Sequence, residues 1–291
     1  MSFVKPITLS DNEFLYYSRQ LLLPDWSESQ QLALKQKTVL IIGLGGLGCP
    51  AATYLAGAGV GQLWLCDGDK VELSNLPRQP LYKPADVGML KATAAKAALS
   101  AYNPFIQITA FTQNADEQML HLLLTKVDFV LDCSDNLATK LLLNRLCLQY
   151  QRSWAGASAV AYQGYSWFMP ASVKEDKAAS LPQNTTGCLQ CLGHNVPLAV
   201  GGCSSQGAYA PLVATLALQL CITALDFLRG IAVKTRFQLY QHQNQNFVPL
   251  SIAVDPQCSV CQLPRLQHIK SPLPARPQQQ KTCNQPEEHG L

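Results

Sequence analysis

The chain lacks a strong excess of either charge. Against 22 Lys and Arg stand 19 Asp and Glu, a formal net charge of +3 over 291 residues, with the two signs intermixed. That excess is too small to hold a polyanionic nucleic-acid backbone, and no basic patch interleaved with aromatics is present. The N-terminal stretch MSFVKPITLSDNEF lacks the apolar core of a secretion signal. A cytoplasmic location is therefore expected, with no nucleic-acid partner and no membrane. Internal repeats are absent. Long uncharged runs are scarce as well. GAYAPLVATLALQLCITAL, at 207–225, carries no charge over 19 positions. Its length suits a membrane span. Pro211, Thr215, Gln219 and Thr223 dilute it, so a helix buried in a large core or a subunit interface is expected instead.

Cysteine is not lacking, at 11 residues, but without a secretion signal it argues against a disulfide scaffold. Hydrophobic residues make up 48%, an ordinary globular share. One domain is expected over 1–264. The tail, 265–291, is poor in apolar residues and holds four prolines and five glutamines, so disorder is expected there.

Strand and helix patterns alternate along the domain. Ser27 with Gln30 forms a capping-box pattern that opens a short helix through about Lys37. TVLII (38–42) reads as a strand running into a glycine-rich turn, where Gly43, Gly45 and Gly48 fit G-x-G-x-x-G. A helix is expected to begin inside LGCPAATYLAGAG, and QLWLCD (62–67) follows as a second strand. That β–turn–α–β unit is the context a phosphate-binding turn requires. LKATAAKAALSAY (90–102), ADEQMLHLLLT (115–125) and ATKLLLNRLCLQYQ (138–151) read as helices, with strands at FIQITAF (105–111) and VDFVLDC (127–133). WAGASAVAYQGYSWFMP, TRFQLYQ and NFVPLSIAV suggest further strands, and 172–187 reads as a polar loop. The expected fold class is α/β, a Rossmann-like, doubly wound, mostly parallel sheet with helices on both faces.

Without Cβ atoms the glycines let the backbone turn sharply and approach a phosphate, and the following helix N-terminus offers free N–H groups. Asp67 lies 19 residues after Gly48, where a carboxylate can accept ribose hydroxyls. To this point a nicotinamide dehydrogenase and an ATP-consuming enzyme fit equally. The next segment, CDGDKVELSNLPRQPLYKPADVGMLKA, separates them by adding Asn75, Arg78, Gln79 and Lys91. Cations suit attack on the α-phosphate of ATP, where charge builds on the phosphoryl oxygens and the departing pyrophosphate. Taken singly, each is equally a polar loop residue. LDCSDN (131–136) ends a buried strand with Asp132 and Asp135. A carboxylate at such a strand end can hold magnesium, while Asp135 or Asn136 can also cap the next helix.

Four cysteines form two C-x-x-C pairs, Cys188 with Cys191 and Cys258 with Cys261. Four thiolates suffice for a closed, structural zinc site. A gap of 66 residues separates the pairs, so one zinc knuckle would tie a mid-chain loop to the C-terminal segment.

The blocks YSRQLLL, VLIIGLGGLGCPAATYLAGAGVG, LSNLPRQ, VGMLKA, LDCSDN and the C-x-x-C pairs follow one another from about Tyr17 to Cys261. Together they resemble the ThiF/MoeB/HesA family, bacterial relatives of the ubiquitin-activating enzymes. The resemblance implies a homodimer that uses ATP to adenylate the C-terminal glycine of a small ubiquitin-like sulfur-carrier protein. It implies that Gly43, Gly45, Gly46 and Gly48 line the nucleotide turn and that Asp67 holds the ribose. Asn75, Arg78, Gln79 and Lys91 would surround the phosphates, with Asp135 on magnesium and Asn136 beside it. Arg19, in YSRQ, would reach the ATP of the neighbouring subunit. Pro77 before Arg78 and Leu90 before Lys91 depart from the family's usual residues without removing a functional group.

Such a reaction needs little acid–base help. A C-terminal carboxylate, with a pKa of about 3.5, is already ionised at neutral pH. Alignment and charge neutralisation then carry the chemistry. The expected activity is adenylation of a ThiS-like carrier of the thiamine pathway. A MoaD-like carrier of the molybdopterin pathway is the alternative, and a catalytically silent binding protein the third reading. Arg78, Lys91 and Asp135 speak against silence. The stretch after Cys261 is too short for a fused sulfurtransferase, so a separate donor, such as a cysteine desulfurase or sulfurtransferase, is expected. Cys203, in AVGGCSSQGAYAP, precedes the apolar helix. A thiol near a helix N-terminus can be nucleophilic, although a small buried hydrophobe is the plainer reading. Some ThiF-type enzymes join a cysteine at this place covalently to the carrier, which makes Cys203 a candidate catalytic thiol.

Overall fold

Val39, Leu40, Ile41 and Ile42 are each at most 3% exposed. They belong to β1 (Thr38–Ile42), and they show no apolar–polar alternation because both faces of the strand are covered. Val39 and Ile41 enter one core, Leu40 and Ile42 another. The computed structural model describes residues 8–171, 187–195 and 207–261.

Seven more strands extend this centre: β2 (Gln62–Cys66), β3 (Gln107–Phe111), β4 (Phe129–Asp132), β5 (Trp154–Val160), β6 (Gln163–Met169), β7 (Arg236–Gln241) and β8 (Asn246–Leu250). Their order is β3-β2-β1-β4-β5-β6-β7-β8. The first five run parallel, and from β6 onward each pairs antiparallel with its neighbour. The parallel half is the expected Rossmann-like sheet. The β5–β6 and β7–β8 pairs are antiparallel because the turns at 161–162 and 242–245 leave no length for a crossover helix, whereas β6 and β7 pair antiparallel across a long connection.

Helices cover both faces. Three short ones precede β1: α1 (Asp11–Tyr16), α2 (Ser18–Leu21) and α3 (Glu28–Lys35). The Ser27–Gln30 capping box opens α3, which stops at Lys35, two residues before the expected end. α4 (Gly48–Ala58) and α5 (Lys91–Tyr102) pack on one face. α6 (Glu117–Leu123) and α7 (Leu137–Gln149) pack on the other. The change of face accompanies the reversal of strand order between β1 and β4. Ligands of open α/β sheets bind in the crevice at that point.

α8 (Ala210–Leu228) takes up all but the first three residues of the long uncharged run and is long and apolar enough to cross a membrane. Its Leu212, Leu216, Leu220 and Ala224, spaced by four, are buried against α4, β5 and β6. Ile222, on the other side, is 54% exposed. One face is thus a core face, as expected. The tail at 265–291 lies outside the described residues.

Candidate functional site

The turn after β1 is built by crowding. Gly43 has φ +88°, and a Cβ there would sit 2.7 Å from the carbonyl oxygen of Cys133. A Cβ on Gly48 would collide with the Gly43 carbonyl, which lets α4 start close against the strand. Both positions therefore require glycine. Gly43, Gly45 and Gly46 line a cavity of about 300 Å³ at the C-terminal ends of β1, β2 and β4.

Asp67, just after β2, closes the turn from the side. Its Oδ2 accepts from Leu44 N at 2.7 Å and its Oδ1 from Asp69 N at 2.8 Å. Burial pushes its carboxyl above the ordinary value, against those two donors and the charge of Lys91. Asp67 lines the cavity. It also does a job that spacing alone does not announce, because it fastens the glycine turn to the next strand.

Arg78, Gln79 and Lys91 line the same cavity. Residues 73–78 form a 3-10 helix, and Arg78 Nη1 donates to Ser74 O at 3.0 Å. Lys91 opens α5, 7% exposed, with Nζ 3.1 Å from Asp69 Oδ2. Asp69, absent from the expected set, is thus the internal counterion of Lys91. Gln79 is 2% exposed and its Oε1 has no hydrogen-bond partner among the described residues. A buried acceptor left open beside a cavity fits a ligand that brings a donor. Asn75 belongs to the same 3-10 helix as Arg78. It does not line the cavity; its Oδ1 accepts from Glu72 N at 3.3 Å and caps the 3-10 helix.

The two carboxylates of LDCSDN divide. Asp135 is exposed at the cavity with no hydrogen-bond or ion-pair partner among the described residues. Asn136 lines the cavity and caps α7, its Oδ1 accepting from Thr139 N at 2.7 Å. Asp132 is fully buried and pairs with Lys140, Nζ to Oδ2 3.2 Å. Sequence spacing grouped Asp132 with Asp135 and passed over Lys140. The signal was available: Lys140, Leu143, Asn144 and Cys147 recur at helical spacing, and all four are buried.

Arg19, on α2, is exposed and does not line the cavity of its own chain. Cys203 lies outside the described residues.

Cys188, Cys191, Cys258 and Cys261 converge, their sulfurs all within 4.8 Å of one another. The closest separations are 3.5, 3.7 and 3.9 Å. Tetrahedral zinc with bonds of about 2.3 Å places its sulfurs about 3.8 Å apart, so the four thiols fit that ion. Burial opposes ionisation of Cys258, but the N–H groups of Cys261 and Val260 outweigh it and bring the pKa down to about 7. The cluster is anchored to α7, since Leu189 N donates to Asn144 Oδ1 at 3.1 Å.

The fold and this cavity define an α/β protein with a nucleotide-type cleft at the switch point of its sheet. The chain belongs to the ThiF family, which it matches over residues 17–260. It is 35% identical to the sulfur carrier protein ThiS adenylyltransferase of Escherichia coli (strain K12) over 254 residues, covering 87% of this chain and 97% of that protein. It is also 35% identical to the molybdopterin-synthase adenylyltransferase of the same strain over 255 residues, 87% of this chain and 98% of that one. The solved structure of E. coli MccB with ATP superposes with a TM-score of 0.69 at 23% identity, over 84% of this chain and 74% of that chain. That likeness is one of fold.

Proposed function

We propose that this protein uses ATP to adenylate the C-terminal glycine of a small ubiquitin-like sulfur-carrier protein. The observation that carries the reading is the meeting of Arg78, Lys91 and Asp135 around one cavity. The two E. coli relatives, both named as adenylyltransferases, support it. The carrier's terminal carboxylate attacks the α-phosphorus. A new O–P bond forms, the bond to the β-phosphate bridge breaks, and pyrophosphate leaves with the electron pair. Arg78 and Lys91 offset the charge that grows on the phosphoryl and leaving oxygens. Gln79 offers its open Oε1 to a donor on the nucleotide, and the glycine turn admits the phosphates. Asp135 would hold magnesium, which when bound would supply positive charge near the phosphates. The cysteine cluster holds a structural zinc.

Carrier-dependent exchange of pyrophosphate into ATP tests the proposal. Exchange is expected with a ThiS-like carrier, and with a MoaD-like carrier if the molybdopterin alternative holds. Exchange with neither overturns it. Identity to the two E. coli relatives is 35% in both cases, so carrier choice rests on this measurement.

The protein works as a homodimer in this reading, with Arg19 completing the partner's site. Mixed dimers of Arg19→Ala and Asp135→Ala subunits contain one composite site with both native residues. They are expected to recover about half of wild-type exchange per dimer, where each variant alone has little. Absence of recovery in dimers shown to be mixed counts against a shared site.

Cys203 separates the two pathways. The acyl-adenylate forms without an enzyme thiol, so Cys203→Ser is expected to keep exchange while slowing sulfur loading from a separate donor. Equal loading by variant and wild type makes Cys203 structural and favours the MoaD-like carrier.

A further inference from the structure

We propose that Lys140 is a positioning residue: its buried ammonium fixes the loop that carries Asp135 and thereby sets the affinity of the site for magnesium-bound nucleotide. The inference rests on the reading of Asp135 as the magnesium carboxylate.

Lys140 is fully buried, and its Nζ meets three acceptors: Ser134 O at 2.7 Å, Ala157 O at 3.1 Å and Asp132 Oδ2 at 3.2 Å. An ammonium has three donors, so all are used. The Trp167 ring centroid lies 5.2 Å away on another side. Asp132 uses its second oxygen on the same loop, accepting from Ser134 N at 3.0 Å and Ser134 Oγ at 2.5 Å. The backbone N–H, the carbonyl and the hydroxyl of Ser134 are therefore all held by this one ion pair. Asp135 is the next residue, and on its far side Asn136 is held as the cap of α7.

The arrangement does more than fill space. An ion pair inside a core is often no more stabilising than apolar side chains of the same volume. Apolar residues at 132 and 140 would leave Ser134 N and O without these partners. Ala157 O belongs to β5, whose next residue, Ser158, also lines the cavity. Lys140 thus links the Asp135 loop to β5, the neighbouring strand. Among the described residues Asp135 has no side-chain partner to set its direction, which leaves the backbone of Ser134 and Asn136 to do so.

The test is calorimetric binding of ATP with and without Mg²⁺, together with the Mg²⁺ midpoint of carrier-dependent exchange. Lys140→Met leaves Asp132 buried and unpaired, and loss of folding is a risk. The double variant Asp132→Asn/Lys140→Met removes both charges and is the informative protein. It is expected to stay folded and bind Mg²⁺-free ATP near the wild-type affinity. Its Mg²⁺ midpoint should rise about 10-fold, the lower end of what groups behind a metal ligand contribute. Lys140→Arg, which restores the donors, should recover part of the shift. A merely structural role lowers the folded fraction without moving the midpoint. A folded double variant with a wild-type midpoint overturns the proposal. The calorimetric arm needs no carrier, so an error in the carrier assignment leaves this test intact.

Discussion

Replacing Arg78 or Lys91 with alanine is expected to lower carrier-dependent pyrophosphate exchange by about 10²–10³-fold, the usual cost of removing one group aimed at transition-state charge. Both variants should remain folded. Lys91 pairs with Asp69, whose side chain is 66% exposed and stays solvated when the lysine is gone. Lys91 itself is 7% exposed and its charge also favours the ionised form of Asp67, so Lys91→Ala should lower the melting temperature modestly while the protein stays folded. Arg78 donates to a single backbone oxygen, Ser74 O. The loss should fall mainly on kcat rather than on KM for ATP, because the charge develops as pyrophosphate departs. Near-normal turnover in both variants would remove the phosphate roles assigned to them.

The second large effect concerns the metal. Freshly purified protein is expected to hold one zinc per chain, with chelation costing stability before it touches nucleotide binding. A single ion at the four cysteines closes a loop from Cys188 to Cys258, whose thiols lie 3.7 Å apart across 70 residues of sequence. Treated as a covalent cross-link, closure of that loop is worth about 4 kcal/mol. For a domain of this size that corresponds to a fall in melting temperature on the order of 10 °C. Metal analysis finding no zinc in the fresh protein, or a chelated protein with an unchanged melting temperature, would discard the site.

The elements came through in the sequence wherever periodicity and punctuation coincide. β1 and its turn were legible because four apolar residues run straight into three spaced glycines. α3 was legible because Ser27 and Gln30 cap each other. The cysteine cluster was legible from pair spacing alone. The buried polar contacts were not. Asp132 and Asp135 stand three residues apart, and nothing in that spacing tells which faces solvent. The strand decides it: Asp132 ends β4 and points inward to Lys140, while Asp135 has passed into the loop. The cap that Asn75 forms on its own turn was not legible either. The pairing of Asp69 with Lys91 became visible only when α5 brought the lysine beside it.

The crowding at Gly43 and Gly48 sets different mutational freedoms along one short motif. A methyl group at either outer glycine meets backbone, which cannot step aside. At Gly45 the nearest atom to such a methyl is Gln79 Nε2 at 3.7 Å, ordinary contact with a side chain. The outer glycines are therefore constrained by architecture whatever the protein binds. The inner one is constrained only by what enters the cleft. A lineage that lost the ligand would be free to drift at Gly45 while keeping Gly43 and Gly48, so the middle of the motif records the chemistry and its ends record the fold.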